Sequence, residues 1–306
     1  MLTAEIPSHK MPLTEKVIHH YRPHRFSGRV GLNKHQLVEE EKMKHYLKSW
    51  SRIVSVIFGV ALAAARAQAN ISGFGDFSGF TVNQTDSNAA PTVSAGSIHL
   101  TNQHFDEDRS IFANTVQNIS AFTASFTYQV SNLSAFNTSG GGAAFVIQNS
   151  SSGASAVQTS IAATMVGNGG ISPSAAITLE LYGSNSTSSG YYTNGGSPNG
   201  SPSTSPVNLA SHDPIDVTIS YNGSLLQESL VDTVTSGSYS TSYLANIPSI
   251  VGGSTAYVGI TAANGLQEEA DQVFSNFQFT AGVPEPASLS LVGIGAIAAL
   301  KRRRTV

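Results

Sequence analysis

Apolar and polar residues alternate one by one through the middle of this chain, and that period of two limits its fold more than any other feature. Phe122-Thr123-Ala124-Ser125-Phe126-Thr127-Tyr128-Gln129-Val130 alternates without a break, and so does Ile215-Asp216-Val217-Thr218-Ile219-Ser220-Tyr221. Tyr257-Val258-Gly259-Ile260-Thr261 and the run from Val273 to Phe279 behave likewise. Alternation of this length is the mark of strands with one buried face. Asn222-Gly223 falls between two such runs, the strongest short-range hairpin signal. Glycine-rich breaks at Gly140-Gly141-Gly142, Gly167 to Gly170, Gly195-Gly196 and Gly252-Gly253 punctuate the rest. No window keeps a helical period, and no internal repeat suggests a solenoid or propeller. The expectation is an all-β fold, an antiparallel β-sandwich over residues 70–280.

The charges are segregated. Residues 1–69 hold eleven Lys or Arg and the last six residues hold four more. Between Asn70 and Gly282 the only cation is Arg109, against thirteen Asp or Glu. A nucleic-acid partner needs a basic stripe to neutralise phosphates, so DNA and RNA are excluded for this region. An anionic membrane surface is equally unsuited. There is no cysteine, which rules out disulfides, thiolate metal sites and cysteine nucleophiles.

Residues 1–42 are polar and weakly patterned, and read as a disordered or spurious extension. From Met43 the chain has a positive segment, an apolar run from Ile53 to Ala65, and then Ala67-Gln68-Ala69. That order is a signal peptide over 43–69, with cleavage after Ala69 and Ala67 as the other small residue of the site. The alternative is one membrane-anchoring helix that is never cut.

The other end is as sharply marked. Val283-Pro284-Glu285-Pro286-Ala287-Ser288 precedes the uncharged run Leu289 to Leu300, and Lys301-Arg302-Arg303-Arg304 follows at once. As a helix that run spans about 18 Å, short of a hydrocarbon core of about 30 Å. The basic cluster decides the reading, as a positive-inside stop at a cytoplasmic face. The motif, the run and the arginines together resemble the PEP-CTERM sorting signal of Gram-negative bacteria. The resemblance implies Val283, Pro284, Glu285 and Pro286 as the sorting motif and Arg302, Arg303 and Arg304 as its stop. It also implies a short C-terminal hydrophobic helix, transient anchoring in the inner membrane, cutting by an exosortase, and a host that makes exopolysaccharide. Residues 281–306 would form that tail.

The central region resembles the bacterial L-type, legume-lectin-like family. Phe122 to Val130 is similar to the family's F-x-x-x-F-x-F strand. Gly141-Gly142-Ala143-Ala144-Phe145-Val146-Ile147-Gln148-Asn149 is similar to its D-G-x-A-F-x-x-Q strand, and Ala175 to Tyr182 to the next. Val217 to Tyr221, Leu225 to Val234 and Ile247 to Thr261 complete the match. It implies a lectin-like jelly roll and a ligand that is an extracellular polysaccharide or other glycan. The carbohydrate-binding candidates it points to are Gly141, Gly142, Tyr182, Asn185, Tyr191, Tyr192, Asn194, Asn264 and Gly265. Tyr182, Tyr191 and Tyr192, with Asn185 and Asn194, would share the loop of the family's metal and sugar region, or pack it against the sandwich. The departures are specific. The family's sugar-binding Asp falls at Gly141, its metal-loop Asp at Tyr182, its ligand Asn one place from Asn185, and its late Trp at Phe277. Glu180 alone cannot assemble the six to eight oxygens of a Ca site. Ca remains possible by family, but the loop is degenerate; the expectation is no cofactor and no metal site.

Two acidic clusters remain. His104-Phe105-Asp106-Glu107-Asp108 could hold a cation or a general base, or be a solvated loop with Arg109 pairing a carboxylate. Glu268-Glu269 with Asp271 could suggest glycoside hydrolysis, but adjacent side chains on one short loop diverge, and that chemistry needs two acids at a set separation. No Ser-His-Asp order, phosphate loop or dinucleotide fingerprint occurs. The chain therefore reads as an exported, non-enzymatic surface protein that binds glycan; the alternative is a structural or adhesive surface protein whose sandwich has lost sugar binding.

Overall fold

The computed structural model describes residues 42–43, 70–133, 141–159, 165–182, 186–196, 199–265 and 269–282. The chain divides into two units, 1–66 and 67–306. Of the first, only Lys42 and Met43 are described, and both are helical. Ala67, Ala69, Asn185, Val283, Pro284, Glu285, Pro286, Arg302, Arg303 and Arg304 lie outside the described residues, as do the expected signal and tail helices.

The second unit is an antiparallel sandwich. Its strands are β1 (Ile71–Ser72), β2 (Phe80–Gln84), β3 (Thr92–Ser94), β4 (Ser97–His99), β5 (Glu107–Ala113), β6 (Gln117–Asn118), β7 (Phe122–Leu133) and β8 (Gly141–Gln148). Then come β9 (Ser174–Tyr182), β10 (Ser186–Thr193), β11 (Ile215–Tyr221), β12 (Leu225–Asp232), β13 (Ser238–Leu244), β14 (Thr255–Asn264) and β15 (Ala270–Ala281), with one short helix, α1 (Ile247–Val251). An eight-stranded sheet runs β13-β12-β11-β7-β15-β4-β3, with β1 beside β15. A seven-stranded sheet runs β10-β9-β8-β14-β5-β2, with β6 beside β14.

The alternation carries straight into burial. In β7, Phe122, Ala124, Phe126, Tyr128 and Val130 are buried while Thr123, Ser125 and Thr127 are not. β11 and β12 repeat the pattern. Their inward residues meet those of the other sheet in one core, built around rings such as Phe122 stacked on Phe279 at 5.2 Å and Tyr128 beside Phe274 at 5.2 Å. Stacked and tilted aromatic contacts add to the area they bury. The expected hairpin is present: Tyr221 pairs with Leu226, Gly223 takes a φ of 105°, and the Asn222 side chain accepts from the Ser224 and Leu225 amides.

The seven-stranded sheet behaves differently, because both of its faces are covered. Every residue of β8 is buried. Phe112, Ala144, Val146 and Ala176 on its outer face form a second small core with Ala156, Val166 and Ile171 from the segment that crosses it. The strands approach so closely that a side chain at Gly142, whose φ is 155°, would strike the Leu179 carbonyl, and one at Gly259 the Ile111 carbonyl. The segment read from sequence as a loop from Asn185 to Gly195 is corrected by the structure. Ser186–Thr193 is strand β10, paired along its length with β9. Its serine-rich sequence has no apolar alternation because its inward position Ser189 serves a buried carboxyl rather than the apolar core.

Candidate functional site

Antiparallel pairing brings a set of strand ends to one end of the sandwich. Gly142 pairs with Glu180 and with Ala263, Tyr182 with Ser186, Asn264 with Glu107, and Ala270 with Leu133. Gly141, Gly142, Tyr182, Asn264 and Gly265 therefore gather at this end. Tyr191, Tyr192 and Asn194 do not. Tyr191 lies five residues along β10 from Ser186, about 17 Å at the rise of a strand, and pairs with Ile177.

The gathered end is closed by a buried polar network. Arg109 is fully buried and faces Asp86 through two bonds, Nε to Oδ2 at 2.7 Å and Nη2 to Oδ1 at 2.9 Å. Nη2 also reaches Glu107 Oε1 at 2.8 Å and the Ala89 carbonyl. Glu107 Oε2 accepts from the Asn102 amide at 2.8 Å and from Asn264 Nδ2 at 2.9 Å. Burial pushes the Glu107 carboxyl up, while the Asn102 amide and Arg109 hold it down. Asn264 is buried, and its amide nitrogen also faces the carbonyls of His104 and Ala270, while its oxygen accepts from the Ala270 amide. Gly141 leaves the room this needs: a side chain there would strike the Ala263 carbonyl at 2.7 Å and crowd Asn264.

Beside this network the segment Gln103–Asp106 forms a rim on which His104 and Phe105 are exposed and Gln103 and Asp106 half-buried. Gln103 and Asp106 take left-handed φ values of 61° and 57°, uncommon for residues with side chains. Two bonds hold the rim down: Asn264 Nδ2 to the His104 carbonyl at 3.0 Å, and the Asp106 amide to the Gly265 carbonyl at 3.3 Å. Phe105 is 46% exposed, whereas the phenylalanine rings of the core are at most 3% exposed. One carboxylate oxygen of Asp106, Oδ1, is shielded from solvent and has no hydrogen-bond partner among the described residues. Asp108 lies on the outer face of the seven-stranded sheet, and its carboxyl is pushed up to about 7 by burial, against the bond from Gln158 Nε2 at 2.6 Å.

The remaining sequence candidates are engaged in the fold. Tyr191 packs on the core with its ring 5.5 Å from Tyr243, and burial pushes its hydroxyl up to about 12. The Tyr192 hydroxyl meets Ser201 at 2.7 Å and accepts from the Asn199 amide. Asn194 closes a turn, with φ 55° and its side-chain oxygen accepting from the Ser174 amide. Phe277, at the family's Trp position, is buried against Phe74 and Phe80. Glu180 takes hydroxyls from Thr178 and Ser201 at 2.6 Å and from Ser188 at 2.7 Å. A carboxylate so surrounded offers little to a cation, and among the described residues no group of three His, Cys, Asp or Glu is placed to hold a metal. Of the second acidic cluster, Asp271 belongs to β15. It pairs with His99 Nδ1 at 2.8 Å and accepts from Ser131. The serine hydroxyl thus reaches the carboxylate rather than the imidazole, which is not a nucleophile–base pair.

Comparisons with known proteins now define the class. The PEP-CTERM protein-sorting motif matches residues 282–304. No curated protein matches the sequence. Among solved structures, peanut lectin is similar at 14% identity over 70% of this chain and 97% of its own, with a TM-score of 0.52. The winged bean acidic lectin complexed with methyl-α-D-galactose is similar at 13% identity over 68% of this chain and 94% of its own, with a TM-score of 0.54. Arcelin-5, a lectin-like defense protein from Phaseolus vulgaris, is similar at 18% identity over 69% and 96%, with a TM-score of 0.52. The sandwich is thus of the legume-lectin type. The chain carries a PEP-CTERM sorting motif, which marks it for export, exosortase sorting through the C-terminal tail and display at the cell surface.

Proposed function

We propose that the displayed sandwich is a glycan-binding module, not an enzyme, and that it meets extracellular polysaccharide through the Gln103–Asp106 rim without a metal. The observation that carries the reading is the exposed ring of Phe105, held on a rim of left-handed backbone at the strand ends that gather Gly141, Asn264 and Gly265. An aromatic face stacks on the apolar face of a sugar ring. The two left-handed residues and the bonds from Asn264 and Gly265 pre-order the rim, which lowers the entropy lost on binding. The sugar held by the winged bean lectin supports the ligand class. Exosortase and, transiently, the inner membrane are the partners of the tail.

A second reading, a structural or adhesive surface protein, is favoured by one observation: Asn264, Tyr192 and Asn194 spend their polar groups inside the fold. Binding of the exported protein and its Phe105→Ala variant to a glycan panel separates the two. Saturable binding that the variant weakens favours the first, and a folded protein that binds nothing favours the second.

A further inference from the structure

Three rows on the outward face of the eight-stranded sheet form a lattice made mostly of hydroxyls and amides, with Asp216 as their one charged residue. Strand register sets them in rows. Ser240, Ser229, Thr218, Ser125, Gln278 and Ser72 stand side by side across β13, β12, β11, β7, β15 and β1. Two residues along lies Ser242, Gln227, Ser220, Thr123 and Thr280. Two residues the other way lies Ser238, Val231, Asp216, Thr127, Ser275, Ser97 and Ser94. None of these positions is buried. Apart from Val231 and Asp216, every one is Ser, Thr or Gln, and Asp216 is bonded to Thr127 Oγ1 at 2.9 Å. A depression of about 380 Å³ opens in the lattice, lined by Thr218, Ser220, Gln227, Ser229, Ser240 and Ser242. Glu228 at its floor has its carboxylate turned inward to Ser189.

We propose that this face docks a neutral polysaccharide, as a second glycan surface apart from the Phe105 rim. The inference rests on the reading that the exported domain meets polysaccharide, and differs in the face that does so. Charge selects the occupant. The three rows hold no Lys, Arg or His, their one charged residue is Asp216, and the region from Asn70 to Gly282 is strongly acidic, so an anionic polymer is repelled. Hydroxyls donate and accept at once, so an array of them matches another array of hydroxyls whose orientation is not fixed in advance. Rows of donors and acceptors repeat about every 4.8 Å across the strands and about 6.8 Å along them. Without an aromatic ring in the rows each sugar contact is weak, and retention comes from many contacts made together. The face therefore holds polymers and ignores short oligosaccharides.

The test is retention of the exported, processed protein on amorphous cellulose, with alginate beads as the anionic control and soluble cellobiose as competitor. Thr218→Lys/Ser240→Lys changes two exposed positions that are not direct neighbours, Thr218→Ser/Ser240→Thr keeps the hydroxyls, and Phe105→Ala alters only the rim. The expected result is retention on cellulose but not alginate, resistant to cellobiose. It falls at least tenfold in the lysine variant and persists in the hydroxyl-preserving and Phe105 variants. No retention of the parent protein, or equal retention of the lysine variant, overturns the proposal. Loss in Phe105→Ala alone overturns it and gives the polymer to the rim. A dimer in sedimentation that the lysine variant dissociates also overturns it, giving the face to a second copy. The glycan panel judges the rim independently, so either site can fail without the other.

Discussion

Ser189 and Glu228 join the two sheets through the interior: the Ser189 hydroxyl on β10 lies 2.7 Å from both carboxylate oxygens of Glu228 on β12. The contact is buried, and burial pushes the Glu228 carboxyl up to about 7 from an ordinary 4.5, against the help of the Ser189 bond. The two buried tyrosine hydroxyls nearby, on Tyr191 and Tyr243, have no hydrogen-bond partner among the described residues. This edge of the sandwich is where charge is least welcome.

A pH dependence follows. The folded state holds the Glu228 proton more tightly than the unfolded chain, so its contribution is fully present below about 4.5 and is lost as pH rises through about 7. Asp108, raised to about 7 from 3.8, acts in the same direction. Denaturant midpoints should fall between pH 5 and pH 8. Glu228→Gln, which keeps a polar partner for Ser189 without the charge, should remove on the order of 1–3 kcal/mol of that fall. An unchanged pH slope in the variant would contradict the assignment.

Arg109 is the lone cation of the sandwich and is fully buried against Asp86 and Glu107. Arg109→Met leaves both carboxylates unpaired, and should cost about 3–5 kcal/mol in chemical denaturation. Adding Asp86→Asn and Glu107→Gln should recover part of it, because the stranded charges and not the missing bonds carry most of the penalty.

Asn264 fastens the rim to the core through Glu107, His104 and Ala270. Asn264→Ala should lower stability by about 2–4 kcal/mol. Hydrogen exchange should show the Asp106 amide losing protection, since its bond to Gly265 depends on that end staying closed.

For the tail, Pro284→Ala/Glu285→Ala should hold the protein in the inner-membrane fraction at a higher mass than the processed form. Cell fractionation followed by intact-mass analysis reads both. Normal display of the variant would contradict the role of the motif at residues 282–304.

The legibility of this fold varies strand by strand, for physical reasons. β7 and β11 announce themselves because one face meets the core and the other meets water. β8 loses its alternation because a second core covers its outer face. β10 has none to show, since Ser188 and Ser189 are buried to serve Glu180 and Glu228. At the site, Gly141 and Asn264 could be placed by resemblance. The separation of Tyr191 from that end, five residues along β10 from Ser186, could not, because a serine-rich strand reads as a loop. The run His104 to Asp108 stands out in sequence for its acids, but the role proposed for Phe105 does not: an exposed Phe looks like a core Phe until its neighbours are known. Arg109 did leave a signal, as a single cation flanked by acids in a region otherwise without one.

The most direct test of the central claim is equilibrium binding of the exported, processed protein to a glycan panel and to the host's own exopolysaccharide, with and without a chelator, for the parent chain and for Phe105→Ala. The account predicts saturable binding that survives chelation and weakens at least tenfold in the variant. A folded parent protein that binds no glycan, or a variant that binds as tightly as its parent, would contradict it.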